Sequence, residues 1–155
     1  DRTFAREKSF FGTGLVAHVD HVTDGDTVTL RIAGAEPERA RLLGIDTPET
    51  VKPDAPVECF GPEASARTKV LLPEGTEVLV QRDAEARDRY GRLLVYLWRR
   101  TDGLFVNRAL LAEGYASVLS IAPNTARRAD LAAAERQARS AGTGLWGACG
   151  DPGGR

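Results

Sequence analysis

Apolar and polar residues alternate along residues 14–22 (GLVAHVDHV), break at Asp24 and Gly25, and alternate again over Thr27–Ile32 (TVTLRI), a stretch rich in β-branched side chains. Period-two alternation on both sides of a DG step predicts two strands joined by a tight turn. Residues 39–45 predict a third strand. Pro48, Pro53 and Pro56 follow it and make the next stretch a loop, because proline cannot donate to a ladder. Gly61, Pro62 and Glu63 open a helix with proline in its first turn, and Ala64, Ala66, Val70 and Leu71 carry it to a stop at Pro73. Residues 76–81 (TEVLVQ) and 93–98 (LLVYLW) predict two more strands. Helices are expected over 106–113 and 125–140, each with a glycine, Gly114 and Gly142, where a C-cap wants one. Strands early and helices late argue for an α+β fold and against a βαβ nucleotide fold.

Composition narrows this picture. The chain has 155 residues, enough for one domain, expected over 13–149 between an N-terminal arm (1–12) and a C-terminal tail (150–155). With 42% hydrophobic and 28% charged residues it is too mixed for wholesale disorder. No apolar run approaches the roughly 20 residues of a membrane span, so a soluble chain without a membrane partner is expected. It contains no Met and begins at Asp1 without a leader, so processing or trimming is expected. The net charge of -1 and pI near 6.2 argue against a globally basic nucleic-acid binder. Locally the balance differs: residues 82–100 hold six arginines against Asp83, Glu85 and Asp88, an excess of three positive charges that suits either a solvated face or phosphate. Cys59 and Cys149 lie outside any CxxC spacing, so zinc is not expected, and a disulfide or two free thiols are both open.

Three short stretches carry candidate chemistry. DGDT at 24–27 is good hairpin sequence, and it is no EF-hand, because counting from Asp24 puts Val28 and Thr29 where that loop needs an oxygen ligand and glycine. Asp46 and Glu49 flank Thr47 and Pro48, which alone would be ordinary turn chemistry. Placement makes the pair interesting. Asp26 begins one strand and Asp46 ends the next, so antiparallel pairing brings both carboxylates to one end of the sheet, and with a loop carbonyl they form a hard-oxygen site suited to calcium or magnesium. Alternation puts Arg41, Leu43 and Ile45 on one face, where a guanidinium needs an anionic partner, either a structural carboxylate or a phosphate held by two parallel hydrogen bonds. Arg89, Tyr90, Gly91 and Arg92 interleave an aromatic with cations, as base stacking beside phosphate requires. His18 and His21, three apart on a strand, point to opposite faces and are not expected to share a metal.

In order and spacing, DGDT at 24–27, RLLGIDTPET at 41–50, FGPEASARTK at 60–69, DRYGR at 88–92, VNRALLAEGYA at 106–116 and GLW at 144–146 resemble the staphylococcal nuclease family over residues 14–147. The resemblance implies a five-stranded OB-fold-type β-barrel with three α-helices, and a calcium-dependent phosphodiesterase that takes DNA and RNA to 3′-phosphorylated products. It implies Asp26, Asp46 and the carbonyl of Thr47 as ligands of Ca2+, and Glu49 as the carboxylate that positions or deprotonates water. Arg41 and Arg92 would hold the scissile phosphate, with Arg89 and Tyr90 on a terminal phosphate and nucleotide. Cysteine pairs like Cys59 and Cys149 occur among exported bacterial members, which implies a disulfide and an extracytoplasmic, monomeric enzyme. The chain departs from the pattern at VLSIAPN (118–124), where tyrosines usually precede the Pro-Asn, and in its lack of net positive charge, from which weaker capture of long DNA and a shallower salt dependence are expected. The competing readings are a noncatalytic binding module of the same fold and a nuclease fold reused for small nucleotides.

Overall fold

The DG step turns the chain as expected. The computed structural model, which describes residues 14–50 and 58–150, places β1 at Leu15–Asp24 and β2 at Thr27–Ile32, paired antiparallel from Ala17 opposite Ile32 to Asp24 opposite Thr27. β3 (Glu38–Leu42) follows antiparallel to β2, with Thr27 opposite Arg41. A closed barrel in the order β1-β2-β3-β6-β5 is completed by β5 (Glu77–Gln81) and β6 (Leu93–Arg99), with β3 and β6 the one parallel pairing within it. Closure removes the open edges that a five-stranded sheet would expose. Ala17, Val19, Val28, Leu30, Ala40, Leu42, Val78, Val95 and Leu97 are buried in one continuous core.

The helices cover the barrel and tie its connections together. α1 (Gly61–Leu71) has Pro62 in its first turn, and Thr68, fully buried, donates from its hydroxyl to the carbonyl of Gly25 at 2.7 Å, so the helix holds the β1–β2 turn. α2 (Val106–Ala112) contributes Asn107, whose amide donates to the carbonyls of Leu43 and Val95 and accepts from the N–H of Leu97. α3 (Arg128–Ala141) ends at Gly142 in the left-handed conformation. It starts three residues later than the sequence implied, after a turn through 125–127. A fourth, one-turn helix, α4 (Leu145–Ala148), was not expected. Among the described residues no helix is long and apolar enough to cross a membrane.

The single strand expected over 39–45 is two strands. Leu43 still donates to the carbonyl of Val95 (2.8 Å), but Gly44 at φ 81° turns the chain into β4 (Gly44–Asp46). β4 pairs antiparallel with the three-residue β7 (Ser117–Leu119) in a small second sheet. A side chain at position 44 would strike Leu131 of α3, so glycine answers both the backbone and the packing. The regular alternation from Arg41 to Ile45 therefore fails. Ala40 and Leu42 face the core, Arg41 is partly buried on the other side of β3, and Ile45 reaches its buried place through the turn. The arm at 1–12, the tail beyond Gly150 and the loop prolines Pro53 and Pro56 lie outside the described residues.

Candidate active site

The β1–β2 turn and β4 bring Asp26 and Asp46 together, and the link between them is Arg41. Its guanidinium lies 2.9 Å from Asp26 Oδ2 and 3.5 Å from Asp46 Oδ1, and it also donates to the carbonyl of Ile45 at 3.1 Å. Asp26 Oδ2 accepts a further bond from the main-chain N–H of Thr47 at 3.0 Å, which pins the segment after β4 against the β1–β2 turn. This approach needs Gly25: a Cβ there would stand 2.6 Å from Thr47 Oγ1. The structural-carboxylate account of Arg41 is thus realised in the protein, and its guanidinium remains on the wall of an open cleft.

The carboxylates extend beyond the pair read from sequence. Asp24, 4% exposed, accepts from the N–H of Gly25 and from the hydroxyl of Thr50 (2.8 Å). The main-chain N–H of Glu49 donates to Glu58 Oε1 at 2.8 Å, and the N–H of Glu58 returns a bond to the carbonyl of Glu49 at 3.0 Å. Partial burial and then the charge of Asp26 push the Asp46 carboxyl above the usual carboxylate range, against the pull of Arg41. Glu49 is pushed up as well, by burial first and then by the charge and a hydrogen bond of Asp24. Asp24, Asp26, Asp46, Glu49 and Glu58 thus lie close enough for their charges to act on one another, and Arg41 is bonded to two of them, Asp26 and Asp46.

At the other end Asp88 organises the DRYGR loop. It accepts from the N–H groups of Tyr90 (2.9 Å) and Arg92 (3.0 Å) and from Arg92 Nε (2.8 Å). Burial raises its pKa, but the hydrogen bonds from Arg92 and Tyr90 outweigh that and hold it below the usual range. Arg92 spends only its Nε edge on this contact. Arg89 packs over the Tyr90 ring, 4.8 Å from its centre, and donates to the phenol oxygen at 2.6 Å. Arg41, Arg89, Tyr90 and Arg92 line one cleft of about 360 Å³ with Leu43, Ile45, Leu119, Ile121 and Asn124.

The sequence model of the family described as staphylococcal nuclease homologue matches residues 39–148. The chain belongs to this family. It is 40% identical over 128 residues to the thermonuclease of Staphylococcus intermedius, covering 83% of this chain and 74% of that protein. Against the thermonuclease of Staphylococcus hyicus it is 37% identical, over 83% of this chain and 73% of the other. Endonuclease YncB of Bacillus subtilis is 37% identical over 129 residues, which span 83% of this chain and 60% of YncB.

In this nuclease-family site, a hard cation fits the donors present. Among the described residues no three His, Cys, Asp or Glu side chains are arranged to hold a metal ion, so the candidate set is two carboxylates, Asp26 and Asp46, with main-chain oxygen. Two observations favour a cation there: the mutual approach of the carboxylates, and the buried hydroxyl of Thr47, which has no hydrogen-bond partner and lies against Gly25, next to Asp26 in the chain. His18 and His21 take no part. The first approaches Glu77 at 3.4 Å and the second Asp20 at 2.7 Å.

Sequence reasoning missed three residues that shape the site. Asp24 and Asp88 belong to the DGDT and DRYGR motifs but were given no role of their own beyond a turn and a charge, and Glu58 carries no motif. Asp88 had a local signal, a carboxylate four residues before Arg92. Asp24 and Glu58 act on residues distant in sequence and had none. Cys59 and Cys149 form the expected disulfide, beside Glu58 at one end and after α4 at the other.

Proposed function

We propose that this chain is an exported, monomeric, calcium-dependent nuclease that hydrolyses DNA and RNA without regard to the sugar and leaves 3′-phosphorylated products. The observation that carries this reading is Arg41, which is bonded to both candidate metal carboxylates and also stands on the wall of the cleft that holds Arg92. Asp26, Asp46 and the carbonyl of Thr47 would hold the ion. Calcium bound there supplies positive charge to the phosphoryl oxygen and to the attacking water. Arg41 and Arg92 take up the charge that grows on the phosphate, Arg92 through the guanidinium edge that Asp88 leaves unused. Glu49, with its pKa raised, is a better proton acceptor than an ordinary surface carboxylate, and it orients or deprotonates water. Water attacks phosphorus, the bond to the 5′ oxygen breaks, and the phosphate stays on the 3′ side. Arg89 and Tyr90 engage a terminal phosphate and its nucleotide. A disulfide persists in oxidising compartments, which supports export.

The test is digestion of single-stranded DNA and RNA with and without calcium, with end-group analysis. Calcium-dependent cleavage to 3′-phosphate ends is expected. No cleavage with calcium overturns the reading and leaves a binding module, and full activity in the Glu49→Ala, Arg92→Ala double variant overturns the site assignment. Calcium calorimetry reports on the ion site separately.

A further inference from the structure

The cleft does not end at Tyr90. A second groove of about 530 Å³ is lined by Pro37, Glu38, Arg39, Tyr90, Gly91 and Arg92, so the two depressions share Tyr90 and Arg92. The charges along this ridge are unevenly matched. Glu38 is taken by Arg87 at 2.6 Å, and Asp88 by Arg92 at 2.8 Å. Arg39 is exposed and makes no hydrogen bond or ion pair among the described residues. Among the described residues Arg89 is bonded to the Tyr90 phenol and to no carboxylate. The groove's one acid, Glu38, is therefore already paired, while Arg39 at its rim has no partner among the described residues.

Register shows where that guanidinium stands. Arg41 lies opposite Thr27 and Arg39 opposite Thr29, so both arginines project from the same side of β3, about 6.6 Å apart along the strand. That separation is close to the step between successive phosphates of an extended nucleotide chain. Tyr90, 70% exposed, stands between the two depressions, with the Arg89 and Arg92 guanidiniums 4.8 and 5.8 Å from its ring centre.

We propose that, in strands that run on beyond the phosphate at Arg89 and Tyr90 and do not end there, this outer groove holds the next phosphate of the single-stranded polynucleotide, and that Arg39 is the group that binds it. Arg39 then sets a preference for long substrates over short ones, and supplies locally the positive charge that the chain lacks as a whole. The inference rests on the nuclease reading for the kind of ligand, and its test does not depend on turnover.

The experiment measures binding of fluorescein-labelled thymidine dinucleotide and decanucleotide to the protein in chelator, across a salt series, by anisotropy. For Arg39→Gln the loss of affinity on the decanucleotide is expected to exceed that on the dinucleotide by roughly fivefold to tenfold. The slope of log affinity against log salt on the decanucleotide is expected to fall by about 0.7. Arg39→Lys, which keeps the charge, should recover the slope and part of the affinity. Equal losses on both lengths, an unchanged slope, or no binding of the decanucleotide by the unaltered protein overturns the proposal. Length-dependent binding without calcium-dependent cleavage would refute the nuclease reading and leave the groove standing. Cleavage with a length-independent Arg39→Gln effect would do the reverse.

Discussion

The carboxylate end of the site, joined to the cleft through Arg41, and its arginine end, on the cleft wall, are built in different ways. Asp24 and Asp26 are 4% and 6% exposed, and their contacts reach across the sequence, to Thr50 and to Thr47. Arg89, Tyr90 and Arg92 sit in one short loop, held chiefly by Asp88 within the same five residues. Five acids that repel one another have to be gathered by the whole fold, since nothing local would keep them together. Cations that await an anionic ligand need only a loop that orients them. The first end should therefore be sensitive to anything that disturbs the barrel, and the second should tolerate change at little cost to folding.

The strongest way to break that comparison is Arg41→Ala, because Arg41 belongs to both ends. Removing it leaves Asp26 buried without its cation, and a stability loss of about 3 kcal/mol is expected in urea unfolding, with a hundredfold to thousandfold fall in kcat. A variant that loses activity at full stability would show that the carboxylates are gathered without Arg41. Arg92→Ala sharpens the contrast. The same order of activity loss is expected, while unfolding should shift by at most about 1 kcal/mol, because its pair with Asp88 is local and partly solvated. The smallest effect is the acid sensitivity of that pair. The folded pKa of Asp88 is depressed, so its contribution is complete above the unfolded value near pH 4 and is lost as pH falls through the lower folded value. The stability difference between the unaltered protein and Asp88→Asn should hold steady at neutral pH and shrink from about pH 4 downward in acid titrations of unfolding.

The same contrast explains what could be read in the chain. Thr27–Ile32 and residues 93–98 announce strands through their own patterns. Asp26 and Asp46 do come together, but not through the expected strand pairing: Asp46 lies on β4, which pairs with β7, and Arg41 makes the link. The break at Gly44 was hidden, since its reason lies in Leu131 and in a partner strand, Ser117–Leu119, too short to show a period. Asp24 and Glu58 were missed because their partners lie 26 and nine residues away. The arginine end was legible almost whole, since its organisation is local. Its apolar wall was not: Leu119 and Ile121 line the cleft where the family resemblance led one to look for tyrosines, and their placement depends on contacts such as the paired hydrogen bonds between Asn124 and Glu85.

The Cys59–Cys149 bond divides the site in a way that distance does not show. Asp26, Arg41, Asp46 and Glu49 precede the covalent ring it closes, and Arg89, Tyr90 and Arg92 lie within that ring. A protease that opens the chain anywhere inside the ring leaves one molecule that still carries both the acids and the arginines. A cut before Cys59 sets free a piece joined to the rest only by strand pairing and packing. The exposed Tyr90 loop can thus be nicked without parting the molecule, while a cut between Glu49 and Cys59 leaves Asp26, Arg41, Asp46 and Glu49 with no covalent tie to the arginine loop.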